Sequence, residues 1–184
     1  MPPMNISLAF PGFSSPAAGP EAPLDMLGAC HTRVEKQCRT LERLAPHLAQ
    51  HGSDGAAQEA AQAVLRYFET AAVHHHADEE QDLFPALLEA MAGSDAVCIR
   101  ELTRELLAEH RQLEQRWSAL SPQLQAIARG QAQLLQPTQV NDFVVGYRSH
   151  IHKEDTELLP MARRLLDESQ LQRIGQAMRQ RRAI

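Results

Sequence analysis

The sequence predicts an all-α fold: an up-down-up-down four-helix bundle with an irregular Pro-rich N-terminal arm and a short C-terminal helix. Three observations lead there. From Ala22 onward the chain is rich in Ala, Leu, Gln, Glu and Arg, which are strong helix formers. Its apolar residues recur at three- and four-residue spacing. Breakers and caps divide this periodic stretch into four long segments with mostly short links, the pattern of helices that fold back on one another.

Each element follows from local chemistry. Residues 1–21 hold prolines at 2, 3, 11, 16 and 20 and glycines at 12 and 19, which cannot propagate a helix. Leu8, Phe10 and Phe13 give this arm enough apolar surface to lie against the body. Pro23 suits a first helical turn, and Leu24, Leu27, Val34, Leu41, Leu44 and Leu48 carry helix one toward His51-Gly52, with a late kink expected at Pro46. Ser53-Asp54-Gly55 is a turn and cap signal for helix two, which runs through Val64, Phe68, Val73, Leu83 and Leu87 to Ala92-Gly93. Ser94 is the expected cap of helix three, which passes Leu102, Leu106, Leu113, Trp117 and Leu120 and is bent or ended by Pro122. A polar, Gln-rich connection, helical in part or not at all, is expected from about Gln123 to Gln136. Pro137-Thr138 opens helix four, through Phe143, Tyr147, Leu158 and Leu165, and a short basic helix follows from about Ser169 to Arg182.

The 184 residues suit one domain with a real core, divided here into the arm (1–21), the bundle (22–168) and a C-terminal basic helix (169–184). A formal net charge of −5 lacks the basic footprint of a nucleic-acid binder, so no nucleic acid and a small partner are expected. No apolar run approaches the roughly 18 to 20 residues that cross a bilayer, so no membrane is expected. Cys30, Cys38 and Cys98 lack a CxxC pairing, and MPPMNISLAF lacks the basic start and apolar core of a signal peptide. A reducing, cytoplasmic setting is the expectation.

The chemistry-bearing residues are repeated. HHADEEQDLFP from His75 and HIHKEDTELLP from His150 align without a gap, so that His75 matches His150, Glu79 matches Glu154 and Pro85 matches Pro160. HTRVE from His31 and HRQLE from His110 are weaker echoes in helices one and three. Every long helix therefore carries one His-x-x-x-Glu, which puts both side chains on one face about a turn apart. Counted along the helices at about 1.5 Å per residue, His75, His110 and His150 fall roughly 24 to 27 Å from the same end of the bundle. They meet in one layer. His31 joins it if helix one starts higher up.

Taken singly, a His-x-x-x-Glu is ordinarily a surface pair worth a few tenths of a kcal/mol. Four such pairs, one per helix and three at a matching level, are not explained that way. Glu35 and Glu114 are better read as surface partners, because helices one and three lack the acidic extension and the proline. His47, His51 and His152 are read as exposed.

These residues resemble the hemerythrin-like proteins with the HHE cation-binding domain. The resemblance covers about residues 22–168 and rests on LDMLGACHTRVE, HHADEEQDLFP, EHRQLE and HIHKEDTELLP. It implies a four-helix bundle that holds two iron ions as a non-heme di-iron centre, with carboxylates from helices two and four bridging the metals and histidines as terminal ligands. By position, His31, His75, Glu79, His110, His150 and Glu154 fall on ligand positions, and His76 stands where some relatives supply an extra ligand. Glu154 is followed by Asp155, and the parallel with Glu79 and Pro85 favours Glu154 as the ligand. Oxygen-carrying hemerythrins have His-x-x-x-His in helix three, where this chain has Glu114, so reversible carriage is not expected. Two functions fit the resemblance. One is a redox protein that binds or reduces a small diatomic or peroxide (oxygen, peroxide, nitric oxide) in stress response or iron handling. The other is a non-catalytic iron or oxygen sensor or metal-binding module acting through the arm or the basic tail, although the tail's arginines read first as a solvated face.

Overall fold

The computed structural model describes residues 19–90 and 95–183. Among these the secondary structure is entirely helical. Most of the Pro-rich arm and the expected cap Ser94 lie outside the described residues.

Helix α1 spans Pro23–His51, with its proline in the first turn, where a missing N–H costs nothing. It runs through Pro46 without a break and stops at Gly52, whose φ of 68° favours glycine. Asp54 then caps α2 (Gly55–Arg66), its carboxylate accepting from the Ala57 N–H at 2.9 Å.

The second long run continues from α2 through α3 (Ala72–Asp78) to α4 (Phe84–Ala90), with wide π-turns at Tyr67–Ala71 and Glu79–Leu83. The third run, α5 (Asp95–Ala128), passes Pro122 and ends six residues beyond it. The Gln-rich connection is thus helical in its first part, and the turn falls at Gly130, with φ 72°. A proline removes one N–H and crowds one carbonyl, and packing along the rest of a long helix outweighs that local cost.

The fourth run is α6 (Pro137–Lys153) and α7 (Leu159–Leu165), joined by a π-turn at Glu154–Leu158. Helix α8 (Glu168–Arg182) is opened by Asp167, which forms a reciprocal capping box with Gln170.

Two of the π-turns begin at the repeated glutamates. The Phe84 N–H reaches back to the Glu79 carbonyl, and the Leu159 N–H to that of Glu154. Pro85 and Pro160 come next in each run. A proline has no N–H and would crowd the carbonyl four residues earlier, so a widened turn accommodates it. The proline of the repeated motif and the local shape of both glutamate-bearing turns have one cause.

The long runs pack in a ring, α1 on α2, α2 on α5, α5 on α6 and α6 on α1, while α8 lies along α1 and α3. The apolar interior has two parts. One gathers Val34, Leu41, Val64, Phe68, Leu113, Leu120, Phe143 and Tyr147. The other gathers Leu27, Leu83, Leu87, Ile99, Leu106, Leu158, Ile174 and Met178. In each long run the His/Glu residues fall between the two sets, so a polar layer divides the core.

Helix α8 closes the second core through Ile174 and Met178. Its buried Gly175 sits against the backbone carbonyl of Pro20, leaving no space for a Cβ. Gly175→Ala is expected to lower stability by about 1–3 kcal/mol, because the obstacle is backbone and not a flexible side chain. An unchanged denaturation midpoint would show that α8 docks more loosely than this.

Candidate metal centre

Seven sequence-designated residues meet in the polar layer. Exposure is 4% or less for His31, His75, Glu79, His110, His150 and Glu154, and 8% for His76. Charged and imidazole groups this deep are ordinarily paired or hold a metal.

The two glutamates lie at the centre, each turning one oxygen to either side. Glu79 Oε1 is 3.4 Å from His75 Nε2, and its Oε2 is 3.3 Å from His110 Nε2. Glu154 Oε2 is 3.1 Å from His31 Nε2 and 4.0 Å from His75 Nε2, while its Oε1 is 3.0 Å from His150 Nε2. Two donor quartets result. His31, His75, Glu79 and Glu154 can bring donor atoms within 4.8 Å of one another, and so can Glu79, His110, His150 and Glu154. His76 joins His110 and His150 in a third group of the same compactness.

Unsatisfied buried atoms test whether such a layer suits a cation. His31 Nε2, His75 Nδ1, His76 Nε2 and both oxygens of Glu79 and Glu154 are buried without a hydrogen-bond partner. A buried polar atom left unpaired costs about 1–3 kcal/mol. Concentrating them in one layer would be costly for a structural core, and it is ordinary for donors arranged around cations. Imidazole and carboxylate suit several transition metals, iron among them.

Residues 22–162 match the hemerythrin HHE cation binding domain. The chain belongs to the hemerythrin HHE family. It is also similar to an uncharacterized protein of Haemophilus influenzae, 36% identical over 162 residues, which is 88% of this chain and 91% of that relative.

In this HHE chain three of the five imidazoles are held from outside by a further set of carboxylates. His31 Nδ1 donates to Asp155 at 2.7 Å, His110 Nδ1 to Glu80 at 2.8 Å and His150 Nδ1 to Glu109 at 2.8 Å. Each bond turns the opposite nitrogen, Nε2, toward the glutamates, as outer carboxylates do for metal-ligating histidines. Asp155 is 48% exposed and Glu154 fully buried, so the adjacent acids divide into an outer and an inner role. Sequence reasoning did not find Glu80, Glu109 or the orienting role of Asp155. The available signal was an acid directly beside three of the designated residues: Glu80 after Glu79, Glu109 before His110 and Asp155 after Glu154.

Electrostatics follow from the same packing. Burial opposes charge on His31 and His110, but Glu154, Glu79 and, for His31, Asp155 outweigh it and raise these imidazoles to about 9 and about 10. His75 has no comparable hydrogen bond, so burial and its cationic neighbours push it down to about 3. Burial and the Glu154 charge push Glu79 up to about 7, whereas Glu154 is held well below the carboxylate range by the three histidines that face it.

The remaining polar residues sit elsewhere. Glu35 binds Arg148 and Arg39, and Glu114 binds Arg111, as surface partners should. His47 pairs with Asp54, while His51 and His152 are exposed. Two arginines of the basic tail overturn the solvated-face reading. Arg181 bonds Asp78 and Asp82, Arg182 bonds Asp78 at 2.5 Å, and both arginines are largely covered. The reason is Asp78, fully buried one residue before Glu79, whose charge needs a cation the bundle core does not supply.

Proposed function

We propose that this chain is a non-heme di-iron protein, built as an up-down-up-down four-helix bundle, that binds or reduces a small oxidant or diatomic: oxygen, peroxide or nitric oxide. Stress response or iron handling in a reducing, cytoplasmic setting is the proposed context. The observation that carries this reading is the sharing of Glu79 and Glu154 between two donor quartets, one oxygen of each facing either side. The proposed ligands are His31 and His75 on one side, His76, His110 and His150 on the other, and the two glutamates between. Contacts between the second and third runs support opposed directions: Gln62 meets Ala128, and Glu80, later in its run, meets Arg111, earlier in the other.

Two irons held there would supply one-electron redox chemistry and coordination positions for a small ligand. Five imidazoles and four carboxylate oxygens fall short of the roughly twelve positions of two six-coordinate ions. The chain does the rest: outer carboxylates fix His31, His110 and His150, shared glutamates offset the cations' charge, and the apolar cores keep bulk water from the layer. Among the described residues no helix is long and apolar enough to cross a membrane.

Anaerobically ferrous-loaded protein is expected to gain near-ultraviolet absorption on adding air or peroxide, and to bind nitric oxide. Inertness to all three reagents would sink the redox reading. Glu114 supplies no imidazole to the layer, but His76 brings a third one to the His110 and His150 side. A spectrum that returns fully under vacuum after oxygen exposure would therefore point to carriage.

The Arg181 and Arg182 clamp on Asp78 favours a second reading, a metal or oxygen sensor. Metal at Glu79 would act one residue from the aspartate that anchors α8. Protease sensitivity of α8 that changes with metal would support it.

A further inference from the structure

The buried layer can be approached from outside on one side. Between the second and third runs lies a cavity of about 210 Å³, walled by Phe68, Val73, Ala77, Leu113 and Trp117, and His76 and Tyr147 line it as well. None of the other six proposed ligands reaches it. His76 is also the least covered of the seven. A ligand arriving through this cavity meets the His76, His110 and His150 side of the layer first.

The cavity's chemistry restricts what it accepts. By the same measure of space one water needs roughly 10–15 Å³, so a diatomic would leave most of the cavity to water. The walls are mostly apolar. At the rim Glu80 is paired with Arg111 and His110, and Glu114 with Arg111, so the lining offers an anion no unpaired cation. Two lining groups make no hydrogen bond among the described residues, His76 Nε2 and the hydroxyl of Tyr147, a residue only 5% exposed.

We propose that this cavity binds a small uncharged peroxide bearing an alkyl group, whose apolar part lies against Phe68, Leu113 and Trp117 while Tyr147 donates to its oxygen beside His76. The proposal deepens the di-iron reading and rests on it for reactivity, but the binding itself belongs to the chain. Tyr147 is a positioning residue in this scheme.

Trp117 is the sole tryptophan of the chain, so its emission reports on the cavity without iron. The probe is tert-butyl alcohol, which keeps the alkyl group and an oxygen but lacks the reactive bond, titrated into metal-free protein with acetate as the anionic control. A saturable change in emission with the alcohol and none with acetate is expected. Tyr147→Phe should weaken binding roughly fivefold, the scale of one lost hydrogen bond. Ala77→Leu, at a partly exposed wall position, should abolish the response while leaving the melting temperature nearly unchanged. A wild-type protein without a saturable response overturns the proposal. So does an equal response to acetate, an equal response in Ala77→Leu, or a Tyr147→Phe protein that binds as wild type. Iron titration is scored separately, so failure to load iron removes the di-iron reading while the fluorescence result still decides the cavity.

Discussion

Anaerobic reconstitution is expected to load two irons per chain, and Glu154→Ala to weaken both positions together, each by more than about a hundredfold, which is the upper end for losing even an outer partner. The reason is geometric. Glu154 faces His31 and His75 with one oxygen and His110 and His150 with the other, so both donor quartets lose a ligand with it. His31→Ala removes a donor from one quartet only and should leave one tightly bound iron. His47→Ala, paired with Asp54 at the far end of α1, should keep both. Asp155→Ala should cost about 10–100-fold at the His31 side alone, because it frees the imidazole to rotate without removing it. Metal quantification with a competing chelator checks the series. Saturation of the wild-type protein at one metal, or equal losses in His31→Ala and His47→Ala, would refute the shared-carboxylate arrangement.

The second large effect is on stability and its pH dependence. Iron at 100 times its dissociation constant stabilises a fold by about 2.7 kcal/mol per site. A chain of this size shifts by about 2–4 °C per kcal/mol, so two sites correspond to a rise on the order of 10 °C or more. The gap between loaded and chelator-treated protein should widen as pH rises.

His31 and His110 titrate near 9 and 10 in the folded chain, against about 6.5 when unfolded. Their contribution is complete below about pH 6.5 and is lost as pH rises through 9 and 10. Glu79 acts in the same direction: its pKa is raised to about 7 from about 4.3, so ionisation across that interval opposes folding. His75, pushed down to about 3, destabilises the iron-free fold on the acid side instead, below about pH 6.5. Iron replaces the protons that balance the glutamates, so the loaded protein should hold its melting temperature between pH 7 and 10 while the iron-free protein loses it. Calorimetry of both forms across that range is the check. Coincident melting curves at every pH would exclude a buried metal site.

Much of this centre could be read from the sequence because its determinants are local. His-x-x-x-Glu is one helical turn, and its repetition in two runs, with a proline six residues after each glutamate, identified Glu79 and Glu154 without reference to any partner. Level counting along helices worked for His75, His110 and His150 because helical rise is constant. Local cues failed where long-range packing decided the outcome. A stop is one of the two local readings of Pro122, yet α5 continues six residues past it, since burial along a whole helix face outweighs one missing N–H.

Composition and periodicity by themselves determined that the chain is helical, where its long helices lie and which residues face inward at one level. The tertiary structure alone decided how the acids are used. Glu80, Glu109 and Asp155 look like any helix-surface carboxylate until the imidazoles 30, 41 and 124 residues away are in place. Asp78 and the tail arginines 103 and 104 residues later are the same case. A side chain's periodicity shows which way it points, but its charge acts on whatever lies within a few ångströms, and in a bundle those neighbours come from other helices.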